Sequence, residues 1–314
     1  MRRLAVVAAL LAGAAQAQPS PALRLEVTGP PVSAVSGARP RCDAPDTPDA
    51  PARAVRLATG EVRLHATDSL SQVAGGADLL HLHHRCGAAT ESQTFGELPG
   101  RALVAALPHR RQDQPERGRR RGDFSSSNIV TLSGAQHMFA FVTQARAQRP
   151  GNCLLRTAAV GPPGAWRGWD GAAFGVAADP YGRPDQPGMR NCAPVEADKL
   201  RWPVTGLARH AASGLFVALM QNGARGGGVF YATSPDLLRW SAPALLLPAV
   251  GPGAWSCADS APIAFPALLD PAAADRNFET VGVAPVLFAT RFNVKNCRVA
   301  GGELVRWDVR IAKP

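Results

Sequence analysis

Val229-Phe230-Tyr231-Ala232-Thr233-Ser234-Pro235-Asp236-Leu237-Leu238-Arg239-Trp240-Ser241-Ala242-Pro243-Ala244-Leu245-Leu246-Leu247-Pro248 is the stretch on which the fold turns. Two apolar runs flank a Ser-Pro-Asp cluster, the pattern of a β-hairpin, because these residues favour turn conformations. Leu237-Leu238-Arg239 reads as an exposed turn. Trp240, at the start of the return strand, is large enough to fill a gap between packed sheets. A looser copy lies upstream, in Cys153–Thr157, a Pro/Gly turn, Trp166, Trp169 and Ala172–Val176. Recurrence of one strand-turn-Trp-strand unit predicts sheets repeated around an axis, a β-propeller, with a β-sandwich as the structural alternative.

Working outward, a first unit starts at Cys42 and includes Ala52–Leu57, Val62–Thr67 and Leu79–His84. A third covers Asn128–Val176, a fourth Val204–Leu247, and a last Ala261–Ile311, with Pro262–Pro271 leading into it. Phe139, Phe216 and Leu287 lie 77 and 71 residues apart, as expected of units of similar size. Gly87–Gly122 leaves room for a poorly marked second unit. The expected fold is therefore all-β, a five-bladed β-propeller with one blade reduced. Leu23–Val27 is expected to complete the last sheet and so remove an open edge. The chain's 31 Gly and 28 Pro among 314 residues suit many turns between short strands, and no window sustains a helical apolar period.

Arg2 and Arg3, the apolar Leu4–Ala15 and the small-x-small Ala15-Gln16-Ala17 read as a secretory signal peptide cleaved after Ala17. Removing it lowers the formal charge from +10 by the two arginines. An N-terminal extension, 18–40, and a single propeller domain, 41–314, follow. The expected location is the periplasm or outside the cell, with no membrane insertion, and the expected state is a monomer. Six cysteines, Cys42, Cys86, Cys153, Cys192, Cys257 and Cys297, fit disulfides in an oxidising compartment. Pairing in sequence order, Cys42–Cys86, Cys153–Cys192 and Cys257–Cys297, is preferred because each bridge then closes a loop of about one unit.

His109–Arg121 carries six Arg against Asp113 and Glu116. It reads as a solvated loop or as a basic arm that attracts acidic polysaccharide; no nucleic-acid fold signature accompanies it. His81 and His83 share one strand face, but they and His84 lack a spaced carboxylate or fourth ligand, so no metal and no cofactor is expected. Gly226-Gly227-Gly228 lacks the lysine of a phosphate loop, and no GxSxG motif is present.

Asp46–Val55 with Gly60–Ala66 resembles the opening blade of bacterial exported five-bladed propellers related to glycoside hydrolase family 43, the arabinanases and β-xylosidases. Ser127-Asn128-Ile129-Val130, Cys153–Thr157 with Trp166–Asp170, Pro266–Pro271, Asn277-Phe278-Glu279-Thr280 and Thr290-Arg291-Phe292 with Cys297 are similar to the same group. The resemblance spans most of Cys42–Val309. Two departures stand out: no His-Asn-Glu-Tyr-like run occupies the second-blade region, and Ser125-Ser126-Ser127-Asn128 stands where relatives carry an Asn-Pro-Ser-Asn turn.

The resemblance implies a carbohydrate ligand and inverting hydrolysis, in which one carboxylate activates water and a carboxylic acid protonates the leaving oxygen. It maps the base onto Asp49, with Asp46 as neighbour, a positioning or tuning carboxylate onto Asp259, and the acid onto Glu279, with Glu196 as substitute. Arg53 and Arg291 are candidates to bind a sugar carboxylate or hydroxyl, or to pair with Asp49 or Glu279. Asn128 either donates to a ligand hydroxyl or stabilises its own turn. The alternative to hydrolysis is a non-catalytic propeller that binds carbohydrate or a protein.

Overall fold

A computed structural model describes residues 22–35, 40–41, 44–45, 51–56, 62–65, 69–74, 77–86, 89–97, 104–111, 123–124, 127–142, 150–158, 165–177, 192–222, 227–248, 261–296 and 298–313. All regular elements among them are strands. No helix among the described residues is long and apolar enough to cross a membrane.

The chain opens with β1 (Arg24–Val27) and β2 (Val32–Val35), then a short ladder of β3 (Pro40–Arg41) and β4 (Ala44–Pro45). A hairpin of β5 (Arg53–Arg56) and β6 (Val62–His65) follows. Next comes a four-stranded antiparallel sheet of β7 (Ser69–Ala74), β8 (Ala77–Cys86), β9 (Ala89–Glu97) and β10 (Val104–Arg111). The third sheet holds β11 (Asp123–Phe124), β12 (Val130–Leu132), β13 (Ala135–Val142), β14 (Gly151–Thr157), β15 (Arg167–Trp169) and β16 (Phe174–Ala177). A fourth contains β17 (Val204–His210), β18 (Phe216–Asn222), β19 (Gly228–Ser234) and β20 (Ala244–Pro248). The last contains β21 (Ile263–Leu269), β23 (Val286–Lys295) and β24 (Arg298–Ala312), while β22 (Thr280–Val281), from the loop between β21 and β23, leaves to pair in parallel with β17.

The 229–248 stretch forms the expected hairpin, with Val229 opposite Leu247 and Tyr231 opposite Ala244. Its turn is tied by side chains. Ser234 Oγ accepts from the amides of Asp236 (3.2 Å) and Leu237 (2.8 Å), and Asp236 Oδ1 accepts from those of Leu238 (3.0 Å) and Arg239 (2.8 Å). Such short polar side chains substitute for the missing strand partners. Leu237 corrects the sequence reading: it is fully buried, with φ +67°, and only Arg239 of the three residues is exposed. The turn folds inward because Trp240 Nε1 donates to the Leu237 carbonyl (2.9 Å). The indole then meets Phe139 of β13 edge to face, 5.9 Å between ring centres, and closes the seam between the third and fourth sheets.

The second unit differs from expectation. Leu79–His84 belongs to β8, not to the first unit, and β9 and β10 continue that sheet through the 89–111 stretch. β9 (Ala-Thr-Glu-Ser-Gln-Thr-Phe-Gly-Glu) is almost devoid of apolar residues, so periodicity did not mark it. β10 runs into the basic segment as far as Arg111; the rest of that arm lies outside the described residues. β15 had no apolar signature, and Ile263–Leu269 is a full strand where a lead-in was expected. Between β21 and β23 only the two residues Thr280–Val281 form a strand among the described residues.

The N-terminal strand behaves as expected. Arg24–Val27 pairs antiparallel with Val309–Ala312. Leu23 and Leu25 enter the core shared by the last and fourth sheets, with Val217, Tyr231, Leu287 and Trp307. Another core joins the third and fourth sheets, and a smaller one packs Ala52 and Ala54 of the first hairpin against Ala267, Leu269 and Leu304 of the last sheet. β5 also packs against β7. Sheets late in the chain thus contact one another in sequence, and the last returns to the first. Two stacked layers do not produce that order; sheets set around an axis do.

Cys153 and Cys192 form a disulfide. It lies beside buried Trp166 in the outer core of the third sheet. Cys42, Cys257 and Cys297 lie outside the described residues, as does the side chain of Cys86.

Candidate functional site

β5, β12, β17 and β21 come from different sheets and meet through β17 and β21, and polar side chains tie them to one another. Asn128, just ahead of β12, is 6% exposed and spans to the backbone of β17. Its Nδ2 donates to the Leu207 carbonyl, and its Oδ1 accepts from the Leu207 amide at 2.7 Å. The amide side chain therefore mimics a strand partner. It is neither a free ligand donor nor a brace of its own turn, the two roles the sequence left open. Asn152, which sequence reasoning missed, does similar work. Its Nδ2 reaches the carbonyls of Leu200 (2.8 Å) and Trp202 (2.9 Å), and its Oδ1 takes the Val204 amide (2.9 Å). Its signal was a polar residue inside an otherwise apolar strand.

Arg53 begins β5 and is 3% exposed. Its guanidinium donates to the carbonyls of Ala52 (Nη1, 3.1 Å) and Thr205 (Nη2). Thr205 Oγ1 in turn donates to the Pro266 carbonyl at 2.9 Å, so β5, β17 and β21 meet at one level. Burial pushes the Arg53 pKa down to about 9, which leaves it charged at neutral pH. A bulge in β21 lies beside this level. Phe265 adopts φ +56°, and the Gln221 side chain brackets the bulge by donating to the Ile263 carbonyl (2.6 Å) and accepting from the Phe265 amide (3.1 Å).

Glu279 occupies the other end of the same strands. Its carbonyl accepts from the Arg209 amide near the end of β17 (2.8 Å). Its carboxylate accepts from the Thr131 amide and, at 3.2 Å, from Thr131 Oγ1 in β12. The Asp275 carboxylate receives the Glu279 amide (2.5 Å) and the Thr280 hydroxyl. Burial pushes the Glu279 pKa up, aided by the nearby Asp275 charge, while the Thr131 bonds and Arg209 oppose the shift. The end of β5 is here too: the Arg56 amide donates to the Arg276 carbonyl (2.8 Å), and the Arg56 guanidinium lies 5.1 Å from the Phe278 ring centre. Thr131, not the neighbouring Arg276, is what holds the Glu279 carboxylate. Asp275 and Thr131 carried no signal in the sequence, because their partners are 148 positions away or set by a tight loop.

Arg291 lies away from these residues. Its Nε and Nη2 donate to Glu303 Oε1 at 2.9 and 2.5 Å, a cross-strand pair between β23 and β24. Among the described residues its partner is Glu303 and not Glu279, and these bonds hold the Glu303 carboxyl below its ordinary range. Glu196, the substitute acid, has both oxygens engaged, with Lys199 Nζ (2.6 Å) on one and the Trp240 amide on the other. Asp46, Asp49 and Asp259 lie outside the described residues. The side chains of His81, His83 and His84 do as well, although their backbone belongs to β8.

Among solved structures, the chain is similar to the catalytic domain of a GH62 α-L-arabinofuranosidase from Coprinopsis cinerea, at 9% identity and TM-score 0.41, over 77% of this chain and 90% of that one. It is also similar to a GH43_1 enzyme from Xanthomonas citri, at 12% identity and TM-score 0.37, over 84% and 70%. An α-L-arabinanase from Cellvibrio cellulosa aligns at 14% identity and TM-score 0.38, over 79% and 70%. At these identities and scores the likenesses assign no residue, substrate or reaction to this chain. No protein-family profile and no curated protein matches it.

Proposed function

We propose that this protein is an exported five-bladed propeller of the glycosidase type that binds a glycan at the rim where its inner strands begin. The observation that carries the reading is the convergence of β5, β17 and β21 through Arg53, Thr205 and Pro266. Asp49 lies four residues ahead of β5, and Asp259 four ahead of β21. Chain connectivity is what supports their presence on that rim. Glu279 is joined to the far end of β17, so a hydrolytic pair built from Asp49 and Glu279 is not the one this geometry favours. In the hydrolytic form of the proposal, Asp49 takes the proton of the attacking water. A second carboxyl on the same rim, for which Asp259 is the candidate, gives its proton to the leaving oxygen.

The leader, cleavage after Ala17 and a periplasmic or secreted location belong to the same proposal, as do the Cys42–Cys86 and Cys257–Cys297 bridges. They are supported by the Arg-rich, apolar N-terminus and by the Cys153–Cys192 pair. The test is a binding and turnover screen of the mature protein on arabinan, xylan and aryl glycosides, with Asp49→Asn, Asp259→Asn and Glu279→Gln alongside. The expected result is binding weakened by Asp49→Asn and Asp259→Asn and unchanged by Glu279→Gln. Absence of binding to every glycan overturns the proposal. Turnover lost only in Glu279→Gln overturns the rim assignment.

A further inference from the structure

Residues 192–203 lead into β17 as a strap across the seam between the third and fourth sheets, and three consecutive residues of β14 receive it. Gly151 gives it room: a Cβ there would lie 2.7 Å from Pro194 Cβ. Asn152 ties it with hydrogen bonds, from the Val195 amide to its own carbonyl (3.0 Å) and from its side chain to the Leu200 and Trp202 carbonyls. Cys153 ties it covalently, through Cys192 at the strap's first residue. Glu196 then accepts from the Trp240 amide, so the strap also holds the turn whose indole closes the seam. Val195 and Leu200 are buried in that seam, while Asp198 and Arg201 are exposed. Cys153 and Cys192 are 0% and 1% exposed.

Thiol–disulfide exchange needs a thiolate in contact with a sulfur. The seated strap leaves both sulfurs out of reach, so the bond forms before the strap seats and is shielded afterwards. We propose that the strap is a redox lock: oxidation of Cys153 and Cys192 lets it seat and close the seam, and the reduced chain keeps it unseated. In the oxidising step the two thiols give up two protons and two electrons to the disulfide of an exchanging partner, which leaves as a dithiol. The bond spans 39 positions, so without it the strap has a long loop to close before Asn152 and Trp240 can hold it. The lock does not depend on glycan binding; it confines the closed fold to compartments where disulfides persist.

The test digests the folded, oxidised protein and a Cys153→Ser/Cys192→Ser double variant with trypsin, and reads cleavage after Lys199 and Arg201 by mass spectrometry. Reduction by dithiothreitol under native conditions is followed in parallel by alkylation of Cys153 and Cys192 in the wild type, Asn152→Ala and Gly151→Ala. The oxidised wild type is expected to resist at both strap sites, and the double variant to be cut there about tenfold faster or more, with other tryptic sites unchanged. Reduction is expected to be about tenfold faster or more in either β14 variant than in the wild type. Equal cleavage of the strap in wild type and double variant overturns the lock, because the strap then seats without its bond. Faster cleavage at every site alike assigns the effect to global stability and overturns it too. Wild-type reduction as fast in buffer as in denaturant overturns the shielding. Unchanged reduction rates in both β14 variants place the opening elsewhere and overturn the strap's part. Should the double variant not fold, the reduction rates, measured on folded and oxidised protein, decide.

Discussion

Arg53 and Glu279 are tied to opposite ends of β17: the Arg53 guanidinium holds the carbonyl of Thr205, and the Glu279 carbonyl holds the amide of Arg209. With a rise of roughly 3.3 Å per residue, the tie points lie roughly 13 Å apart along the strand. One end gathers the starts of inner strands and the buried cation. The other is a knot of loop and strand ends, in which Glu279 joins the 270–281 loop to β12 and β17 through the Thr131 amide and hydroxyl and the Arg209 amide. The second end is a fastening.

That fastening titrates. The folded-state pKa of Glu279 is raised above 4.5, so its neutral form is favoured by folding. The resulting stability is fully present below the unfolded value and is lost as pH rises through the folded one. Glu279→Gln stays neutral throughout. Melting temperatures of the two proteins across this window are expected to diverge, with the wild type falling relative to Glu279→Gln as pH rises. Parallel curves would remove Glu279 as the titrating group.

His137 acts in the opposite sense. It is buried against Phe174 (5.7 Å between ring centres), with Nδ1 3.1 Å from the Ala135 carbonyl, and burial lowers its pKa from 6.5 to about 4. A depressed histidine contributes stability that is present above its unfolded value and lost as pH falls through the folded one. Between pH 6.5 and 4 the loss is on the order of 2 kcal/mol once partial solvation is allowed for. Denaturant midpoints should drop over that range in the wild type and change less in His137→Gln.

Asn128→Ala leaves the amide and carbonyl of Leu207 without their side-chain partners inside the axial ring. Orphaned buried backbone groups cost about 1–3 kcal/mol each. The expected outcome is a loss of about 2–5 kcal/mol in chemical denaturation. Asn128→Asp sets a buried carboxylate against the Leu207 carbonyl, so at neutral pH it should cost at least as much as Asn128→Ala.

Gly206→Ala tests how tightly the axial strands are packed. A Cβ there would meet the Pro266 carbonyl oxygen at 3.1 Å and the Ala267 Cα at 3.3 Å, both backbone, with Leu219 Cβ also at 3.3 Å. Overpacking against atoms that cannot rotate away costs about 1–3 kcal/mol. A lowered melting temperature is expected; an unchanged one would mean that β17 and β21 can part freely.

The hairpin at 229–248, the closing role of Leu23–Val27 and the Cys153–Cys192 pair were legible because each depends on residues near in sequence or on a count. Apolar alternation marks strands with one face in the core, and Ser-Pro-Asp marks the turn between them. β9 was not legible, since its strand character comes from pairing with β8 and β10 rather than from its own composition. Leu237 looked exposed because its neighbours are polar, yet the Trp240 indole turns it inward.

Composition and local pattern alone determined an all-β chain of repeated strand units, since turn chemistry and side-chain alternation act over a few residues. Tertiary structure alone decided which polar residues meet. Asn128 faces Leu207, Arg291 faces Glu303, Glu279 faces Thr131, and Arg53 faces Thr205. Those encounters join different strands, and usually different sheets, at separations no sequence period encodes, and the axis around which the sheets close sets them.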